Sequence, residues 1–460
     1  WDATDVDNVT IETLGNIRFN ATDKVQQTND SKYATFDYNV RQGILFNKNI
    51  TIKGIGTLTI PADLTWHVKG YADSKAEAKT LTIENPIIIE NEGCCGNEAG
   101  RMILGNAKEK FGNFVIKSDI TNYGQLIVGA NNGIGVYAFE GTISNNYDAE
   151  NESTAEIYFG GQKGNTINVN KAIQNYGKME LVNRTFGINS GNVVWGSVPP
   201  TENVGVKVFA KGGINNMLET STLLVKDQTN LSLNGNSINN GEIEILSNGS
   251  TTDQSKDGNV KVEQGASLTN NNVIYNKGVF TADRSTLTLN NGAQFVDYVG
   301  SQYGGTKATI NEGGEYICEV DNATISAGNR LAYALGDNMP TTTVRFVEGP
   351  ARASYTYDLK NYKDYTKLAT VKYIFAAVGK EFVINNTDKD SNGALIEHTF
   401  GTQVTVEAAK CLKFINGKFK INGDLIVKSG WAQTVTVGGT QSFLTIAGNV
   451  DMKEGATEFA

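Results

Sequence analysis

A short motif that recurs along the chain constrains the fold more than any other feature of the sequence. In this motif an isoleucine precedes an asparagine by two residues, and a glycine follows after two more. It stands at residues 89–93, 120–124, 173–177 and 274–278, and a contracted form, apolar-Asn-x-Gly, stands at 238–241, 289–292 and 310–313. After the glycine the sequence usually alternates between apolar and polar residues, which indicates a β-strand with one buried face.

We interpret the motif as one corner of a coil whose turns stack on each other. The strand would bury the isoleucine, the asparagine would occupy the bend, and the glycine would let the chain leave with a positive φ. In stacked turns the bend asparagines lie over one another, so their side-chain amides can hydrogen-bond along the stack. We therefore predict a structural turn ladder made of Asn91, Asn122, Asn175 and Asn276.

The sequence leaves one other fold open. Asn-Gly and Asn-x-Gly also mark the turns of β-hairpins, which would give an antiparallel β-sandwich or barrel array. The isoleucine before each asparagine favours the coil, because a hairpin turn alone does not require it. The fold class that we predict is all-β, a right-handed parallel β-helix (β-solenoid) with loop excursions.

Composition agrees with a folded β protein and excludes some partners. The chain has 50 glycines, about as many asparagines and only 6 prolines, and 39% of its residues are hydrophobic. Glycine and asparagine build tight turns, so this composition suits many short strands. The net charge of −9 argues against binding to nucleic acid or to an anionic membrane surface, since both favour clusters of Lys and Arg.

Four regions of the chain differ in pattern. Residues 1–70 are expected to form an N-terminal cap and the first strands, and residues 71–335 the solenoid repeats with loops. Residues 336–400 carry prolines, tyrosines and charges that break the pattern, so we expect an irregular inserted module or excursion there. The strand pattern resumes over 401–460, and we expect it to continue beyond the given chain.

This pattern resembles the right-handed β-helix surface proteins of bacteria. The group includes autotransporter-like adhesins, pectin-lyase-like repeat proteins and the surface-layer proteins of Bacteroidota. A chain rich in Asn and Gly, poor in Pro and with more Lys than Arg is most similar to the last of these. The resemblance covers residues 40–335 and 401–460. It implies a fold and a location at the cell surface, and it implies no catalytic residue.

Polysaccharide lyases and hydrolases share this architecture, and they need carboxylates clustered on neighbouring turns. The sequence contains no Asp-Asp pair and no Gly-His-Gly. Its only histidines, His67 and His398, stand far apart and without a motif. We expect both to be structural or at the surface, and we predict no catalytic residue.

One stretch resembles the front half of a calcium-binding loop. Asp388, Asp390 and Asn392 have the 1, 3, 5 spacing of calcium ligands, and Gly393 stands at position 6. Position 12 is Thr399 instead of the usual glutamate. The stretch therefore predicts either a calcium site or a solvated turn built from Asp, Asn and Gly.

The four cysteines do not point to a metal site or a disulfide scaffold. Cys94 and Cys95 are adjacent, Cys318 and Cys411 are isolated, and zinc would need two spaced pairs. Three disulfide pairings are conceivable for four cysteines, and the sequence does not choose among them.

Taken together, these features predict a non-catalytic, secreted bacterial cell-surface protein that packs against copies of itself or other surface proteins as a surface-layer or coat component. One alternative is an adhesin or glycan-binding protein on a β-helical stalk, and a second is a polysaccharide lyase or hydrolase. We expect no cofactor apart from the calcium named above. The sequence has no apolar run of about 18 residues that could form a transmembrane helix.

Overall fold

The protein is described from a computed structural model. It covers residues 7–19, 44–62, 64–91, 99–106, 110–130, 134–148, 153–161, 165–182, 186–189, 192–195, 205–249, 256–321, 341–347, 354–358, 369–407, 409, 411–428, 434–439, 441–452 and 458–459. Within these ranges the regular structure is β, apart from short 3-10 turns such as Lys75–Glu77. The chain divides into two compact units. The first consists of Trp1–Thr288 and Gly300–Thr306, and the second consists of Leu289–Val299 and Lys307–Ala460.

The first half of the first unit contains short strands in rapid succession. They are β1 (Asn8–Leu14), β2 (Ile17–Arg18), β3 (Ile44–Phe46), β4 (Asn49–Ile55), β5 (Leu58–Ile60), β6 (Thr65–Gly70), β7 (Thr80–Ile83), β8 (Ile87–Ile89), β9 (Arg101–Asn106), β10 (Phe111–Ile116), β11 (Ile120–Asn122), β12 (Gln125–Ala130), β13 (Ile134–Phe139), β14 (Ile143–Asn145), β15 (Tyr147–Asp148), β16 (Ser153–Thr154) and β17 (Glu156–Phe159).

The rest of the first unit continues in the same way. Its strands are β18 (Thr166–Val169), β19 (Ile173–Asn175), β20 (Lys178–Leu181), β21 (Phe186–Asn189), β22 (Asn192–Trp195), β23 (Lys207–Ala210), β24 (Ile214–Asn216), β25 (Thr222–Val225), β26 (Asn230–Leu233), β27 (Ser237–Asn239), β28 (Glu242–Ile245), β29 (Asn259–Val262), β30 (Ser267–Asn270), β31 (Val273–Asn276), β32 (Val279–Ala282) and β33 (Thr286–Leu289). After β34 (Gln294–Asp297) of the second unit, β35 (Gln302–Gly305) belongs to the first again.

The strands of the first unit form three parallel sheets, which the chain visits in turn. Sheet A has the order β1-β4-β7-β10-β13-β18-β23-β26-β29-β32-β35, sheet B runs from β2 through β5, β8, β11, β14, β19, β24, β27 and β30 to β33, and sheet C runs from β3 through β6, β9, β12, β17, β20, β25 and β28 to β31. One strand from each sheet makes one turn of the coil. Two antiparallel hairpins, β15 with β16 and β21 with β22, are excursions from it.

The second unit is built in the same parallel manner. Its further strands are β36 (Thr309–Ile310), β37 (Glu315–Val320), β38 (Thr343–Phe346), β39 (Ser354–Asp358), β40 (Lys372–Phe375), β41 (Glu381–Asn385), β42 (Glu397–Thr399), β43 (Gln403–Val406), β44 (Cys411–Ile415), β45 (Lys418–Ile421), β46 (Leu425–Val427), β47 (Thr434–Gly438), β48 (Phe443–Ile446), β49 (Val450–Met452) and β50 (Glu458–Phe459). Parallel neighbours follow the orders β34-β37-β38-β40-β43-β46-β49, β39-β41-β44-β47-β50 and β42-β45-β48.

The core lies inside the coil because residues alternate along each strand between the inside and the outside. In β7, for example, Leu81 and Ile83 are buried, and Thr80 and Thr82 point outward. In-register pairing then places like residues over one another, so that aromatic rings stack. Examples are Phe114 on Tyr137 in the first unit, with ring centroids 5.0 Å apart, and Phe346 on Phe375 in the second, at 4.8 Å.

These ladders confirm the predicted parallel β-helix, and the antiparallel sandwich or barrel array is therefore wrong. Most strands of the described ranges pair in parallel, and the antiparallel pairs are short excursions. The described strands within residues 1–70 already belong to sheets A, B and C. Those within residues 336–400 belong to the parallel sheets of the second unit, because their apolar residues alternate like those of other strands: Tyr373 and Phe375 are buried and Lys372 is exposed.

Candidate functional site

Six buried asparagines form a continuous hydrogen-bonded ladder along sheet B. Each side-chain amide donates to the Oδ1 atom of the next asparagine over 2.7 to 2.9 Å, in the order Asn122, Asn145, Asn175, Asn216, Asn239 and Asn270. Their side chains are at most 1% exposed. The amides also donate to backbone carbonyls of the adjoining sheet C, as Asn175 does to Thr222 over 3.0 Å. The ladder therefore satisfies polar groups at the corner between the two sheets.

The structure places two of the four asparagines predicted for the ladder within it. Asn122 and Asn175 are members, with Asn145 between them. Asn91 is not a member, because Ile89 occupies the register position beside Asn122. The hydrogen-bonded column therefore begins at Asn122.

Asn276 lies at a different corner of the coil. It ends β31 in sheet C, where its register neighbour is Ile245, and it donates to the carbonyl of Gln302 over 3.0 Å. Its side chain is fully buried. The same short motif therefore serves two corners, and the motif alone does not tell them apart.

Three ladder members carry a weaker sequence signal than the one that we used. Asn145, Asn216 and Asn270 follow a buried apolar residue by two positions, but no glycine stands two residues after them. The pattern apolar-x-Asn at the end of a strand would have found all three.

The glycine of the motif is needed for close approach between turns and not for a positive φ. A Cβ atom on Gly124 would lie 2.3 Å from the carbonyl oxygen of Gly100, and one on Gly177 would lie 2.2 Å from that of Ala155. Neither glycine has a left-handed φ. Where the chain leaves the corner by another route, as in the hairpin after Asn145, this glycine is not required.

In the predicted calcium loop, the carboxylates of Asp388 and Asp390 interact with other groups of the protein. Asp390 Oδ1 accepts hydrogen bonds from the backbone N–H groups of Asn392 and Ala394 over 2.8 and 2.9 Å. Asp388 Oδ2 lies 3.0 Å from Nε2 of His398. Gly393 has the positive φ of 79° that this turn needs. The loop has the hydrogen-bond pattern of an Asx turn.

The remaining candidate groups are dispersed. His67 is buried on β6, and Cys318 and Cys411 are buried cysteines that form no disulfide; Cys94 and Cys95 lie outside the described residues. Across the described ranges, no three His, Cys, Asp or Glu side chains converge as a metal site would require. Among the same residues, no helix is long and apolar enough to cross a membrane.

The outward face of sheet C in the first unit is buried along several strands. Ile103 and Ile127, which point away from the core, are 0% exposed, and Tyr158 is 6% exposed. Glu180 on the same face is also buried and forms ion pairs with Lys178 and Lys226 at 2.5 and 2.8 Å. This side of the coil is therefore covered.

The outward face of sheet A is open by contrast. The described outward side chains on and directly after β1, β4, β7 and β10 are half-buried or exposed, and Leu14 and Ile55 at the ends of β1 and β4 are exposed as well. Twelve of these residues form three columns: Asn8, Asn49, Thr80 and Asn113; Thr10, Thr51, Thr82 and Val115; and Glu12, Lys53, Glu84 and Lys117. We call these twelve residues the open face. Short side chains dominate its first two columns, so the surface is low and even.

The third column of the open face alternates in charge from one strand to the next. Glu12 and Lys53 are register partners with a nitrogen–oxygen distance of 3.7 Å, and Lys117 lies 2.9 Å from Glu84. Glu140 continues the alternation after β13, since its N–H binds the carbonyl of Ile116. The pKa of Lys117 is raised, first by its hydrogen bond to Glu84 and further by the charges of Glu84 and Glu140.

Side chains of the first column are also fixed along the sheet. Asn49 donates to Oδ1 of Asn8 over 3.0 Å, and its own Oδ1 accepts from the N–H of Thr80 over 2.9 Å. The open face is thus a regular array with its polar groups held in register, which makes it the candidate functional site of the described chain.

Comparison with protein-family models, with curated proteins and with solved structures found no match.

Proposed function

We propose that this protein is a non-catalytic structural component of a bacterial cell surface, located outside the cell, where it packs beside copies of itself in a surface layer or coat. The observation that carries the proposal is the open face, on which charges of opposite sign alternate from strand to strand. A regular surface of this kind suits contact with another surface of the same spacing, because parallel strands repeat every 4.8 Å or so.

The use of polar side chains within the protein supports the same reading. The buried asparagines bind one another, and the Asp390 carboxylate binds the backbone of its own turn. Each of these arrangements stabilises the scaffold. A scaffold whose buried amides bind one another holds its outer side chains at fixed positions, which repeated packing requires.

Electron microscopy of the purified chain at rising concentration tests the proposal. Sheets or ordered arrays are the expected result. Single particles at every concentration would contradict self-packing and favour the adhesin or glycan-binding alternative. Parallel grids with calcium and with a chelator show whether a divalent cation takes part, and dissolution by the chelator would direct attention to Asp388 and Asp390.

A further inference from the structure

We propose that the open face binds the open face of a second copy of this chain, through a two-fold axis that runs parallel to the strands and passes between β4 and β7. The inference rests on the proposed function, because it names the surface through which copies pack. It commits to one partner and to defined residue pairs.

The charge sequence of the third column fits this arrangement. A two-fold axis parallel to the strands reverses the order of the strands in the second copy and keeps each column opposite itself. With the axis between β4 and β7, Lys53 faces Glu84 of the second copy and Glu12 faces Lys117 of the second copy. Each contact occurs twice, as an isologous interface requires, so one dimer gains four contacts between opposite charges.

The other face-to-face two-fold arrangement is unfavourable. An axis that runs along the columns would place each strand opposite itself in the reverse direction. If this axis lies on the third column, Glu12 faces Glu12 of the second copy and Lys53 faces Lys53. If it lies on the middle column, the charged third column faces the uncharged first column and gains no contact between opposite charges. Like charges in contact across an interface oppose association and exclude the wrong pairing.

The uncharged columns fit the selected arrangement. In the middle column Thr51 faces Thr82 of the second copy, and in the first column Asn49 faces Thr80 of the second copy. These side chains are short, and they can donate and accept hydrogen bonds. Two sheets therefore can approach to about 10 Å, the ordinary distance between packed sheets.

The size of the open face sets the expected strength. Four strands and about six residues per strand cover roughly 20 Å by 20 Å, from the usual strand spacing and rise. Two such faces bury on the order of 800 Å², which is below the usual range of stable protein complexes. Association in pairs should therefore be weak and concentration-dependent, and other contacts would have to add to it in an array.

Sedimentation velocity over a range of concentrations tests this inference, with wild type, Lys53→Glu, Glu84→Lys, the double variant Lys53→Glu/Glu84→Lys, and Lys211→Glu as a control. Lys211 follows β23 in the same column, beyond the four strands, and is exposed. Far-UV circular dichroism of each variant checks that the coil is retained.

We expect each single reversal on the open face to weaken self-association at least about tenfold, because two contacts per dimer become repulsive. The double variant should recover wild-type association. It cannot do so by repairing contacts within one chain, because it places like charges next to each other at positions 12 and 53 and at 84 and 117. Lys211→Glu should associate like wild type.

The possible outcomes distinguish failure of the proposed interface from failure of the proposed function. If wild type associates and the open-face reversals leave association unchanged, the inference about this face is overturned and the proposed self-packing stands. If the double variant fails to recover, or Lys211→Glu weakens association as much as Lys53→Glu, the residue pairs are wrong. If wild type remains monomeric at all concentrations, both the inference and the proposed function fail.

Discussion

The side-chain amide of Asn175 donates a hydrogen bond to Oδ1 of Asn216 over 2.8 Å, with both side chains buried in the corner between sheets B and C. Asn175 also accepts from Asn145 over 2.7 Å. An asparagine amide has two donor hydrogens and one acceptor oxygen. At Asn175 both donor hydrogens and the acceptor oxygen have protein partners. This explains why asparagine recurs at the corner in place of an apolar residue.

Replacing Asn175 with alanine should therefore destabilise the first unit. The change leaves Oδ1 of Asn216 without its donor, whereas the amide of Asn145 keeps the carbonyls of Ala155 and Lys178 as acceptors. An unsatisfied buried group costs about 1–3 kcal/mol. We expect a loss of about 2 kcal/mol in the free energy of unfolding, measured by chemical denaturation.

Asn271→Ala is the matched control for that measurement. Asn271 also donates to an asparagine of the next turn, Asn240, over 2.6 Å, but this hydrogen bond is exposed. Water can replace the lost partner there, so the cost should stay below about 0.5 kcal/mol. Equal losses for the two variants would show that burial of the ladder is not what makes it stabilising.

A buried carboxylate in the second unit gives another stability prediction. Tyr316 donates its hydroxyl hydrogen to Asp297 Oδ2 over 3.0 Å, and both side chains are fully buried. Hydrogen bonds to charged groups contribute about 1.5–3 kcal/mol. Tyr316→Phe should therefore lower the free energy of unfolding by about 2 kcal/mol, measured by denaturation.

Tyr303→Phe provides the comparison for Tyr316→Phe. The Tyr303 hydroxyl binds the carbonyl of Thr306 over 2.7 Å, so the lost hydrogen bond is neutral. We expect a cost of about 1 kcal/mol. A larger loss for Tyr303→Phe than for Tyr316→Phe would contradict the importance of the charged acceptor.

The sequence predicts the coil but only part of its ladder, and the reason lies in individual residues. Ile120 and Ile173 each lie two residues before a ladder asparagine. Because alternate residues of a strand face the same side, the isoleucine and the asparagine are buried together, and the sequence motif predicts both. At Asn239 the preceding Ile238 instead points outward and is 42% exposed, and Ser237 occupies the buried position. Strand alternation forces this, because neighbours of an inward asparagine must face solvent.

The open face could not be predicted from the sequence, because its residues come together only through register. Glu12, Lys53, Glu84 and Lys117 are separated by about thirty to forty residues and share no motif. Their alternation appears only when Glu12 is aligned with Lys53 and the strands that precede Glu84 and Lys117 are aligned in turn. Loops of unequal length between the strands hide this alignment.

The loop that resembles a calcium site yields a discriminating pair of variants. Asp390→Asn keeps an Oδ1 acceptor for the N–H groups of Asn392 and Ala394, whereas Asp390→Ala removes it. If the loop is a structural turn, Asp390→Asn should unfold like wild type and Asp390→Ala should lose about 1 kcal/mol. Thermal unfolding with and without calcium provides the measurement.

A calcium site would behave differently in the same experiment. Calcium would then raise the unfolding temperature of wild type, and Asp390→Asn would lose that increase because a neutral amide is a weaker ligand than a carboxylate. A calcium-dependent increase that Asp390→Asn abolishes would contradict the purely structural turn.

Glu180 should make the stability of the first unit depend on pH in the acid range. Burial is the largest single influence and opposes ionisation, but the hydrogen bonds and charges of Lys178 and Lys226 together outweigh it, so the pKa of Glu180 is lowered. A carboxylate with a lowered folded pKa stabilises the protein above its ordinary pKa of about 4.3. That contribution is lost as the pH falls through the folded pKa.

Glu180→Gln tests this dependence. The variant should be less stable than wild type near pH 7, and the difference should shrink as the pH falls below about 4. Denaturation midpoints of both proteins across that range provide the measurement. A difference that stays constant with pH would mean that ionisation of Glu180 does not contribute.

The most direct test of the central claim, that copies pack through their open faces, is to mix two variants that should each fail to self-associate. Lys53→Glu and Glu84→Lys each create repulsive contacts in their own dimers, but a mixed dimer has one carboxylate and one ammonium at both central contacts. Sedimentation velocity of each variant alone and of the equimolar mixture measures this. We expect monomers for each variant alone and dimers for the mixture at the same total concentration. A mixture that sediments as the average of its two components, while wild type associates, would contradict the central claim.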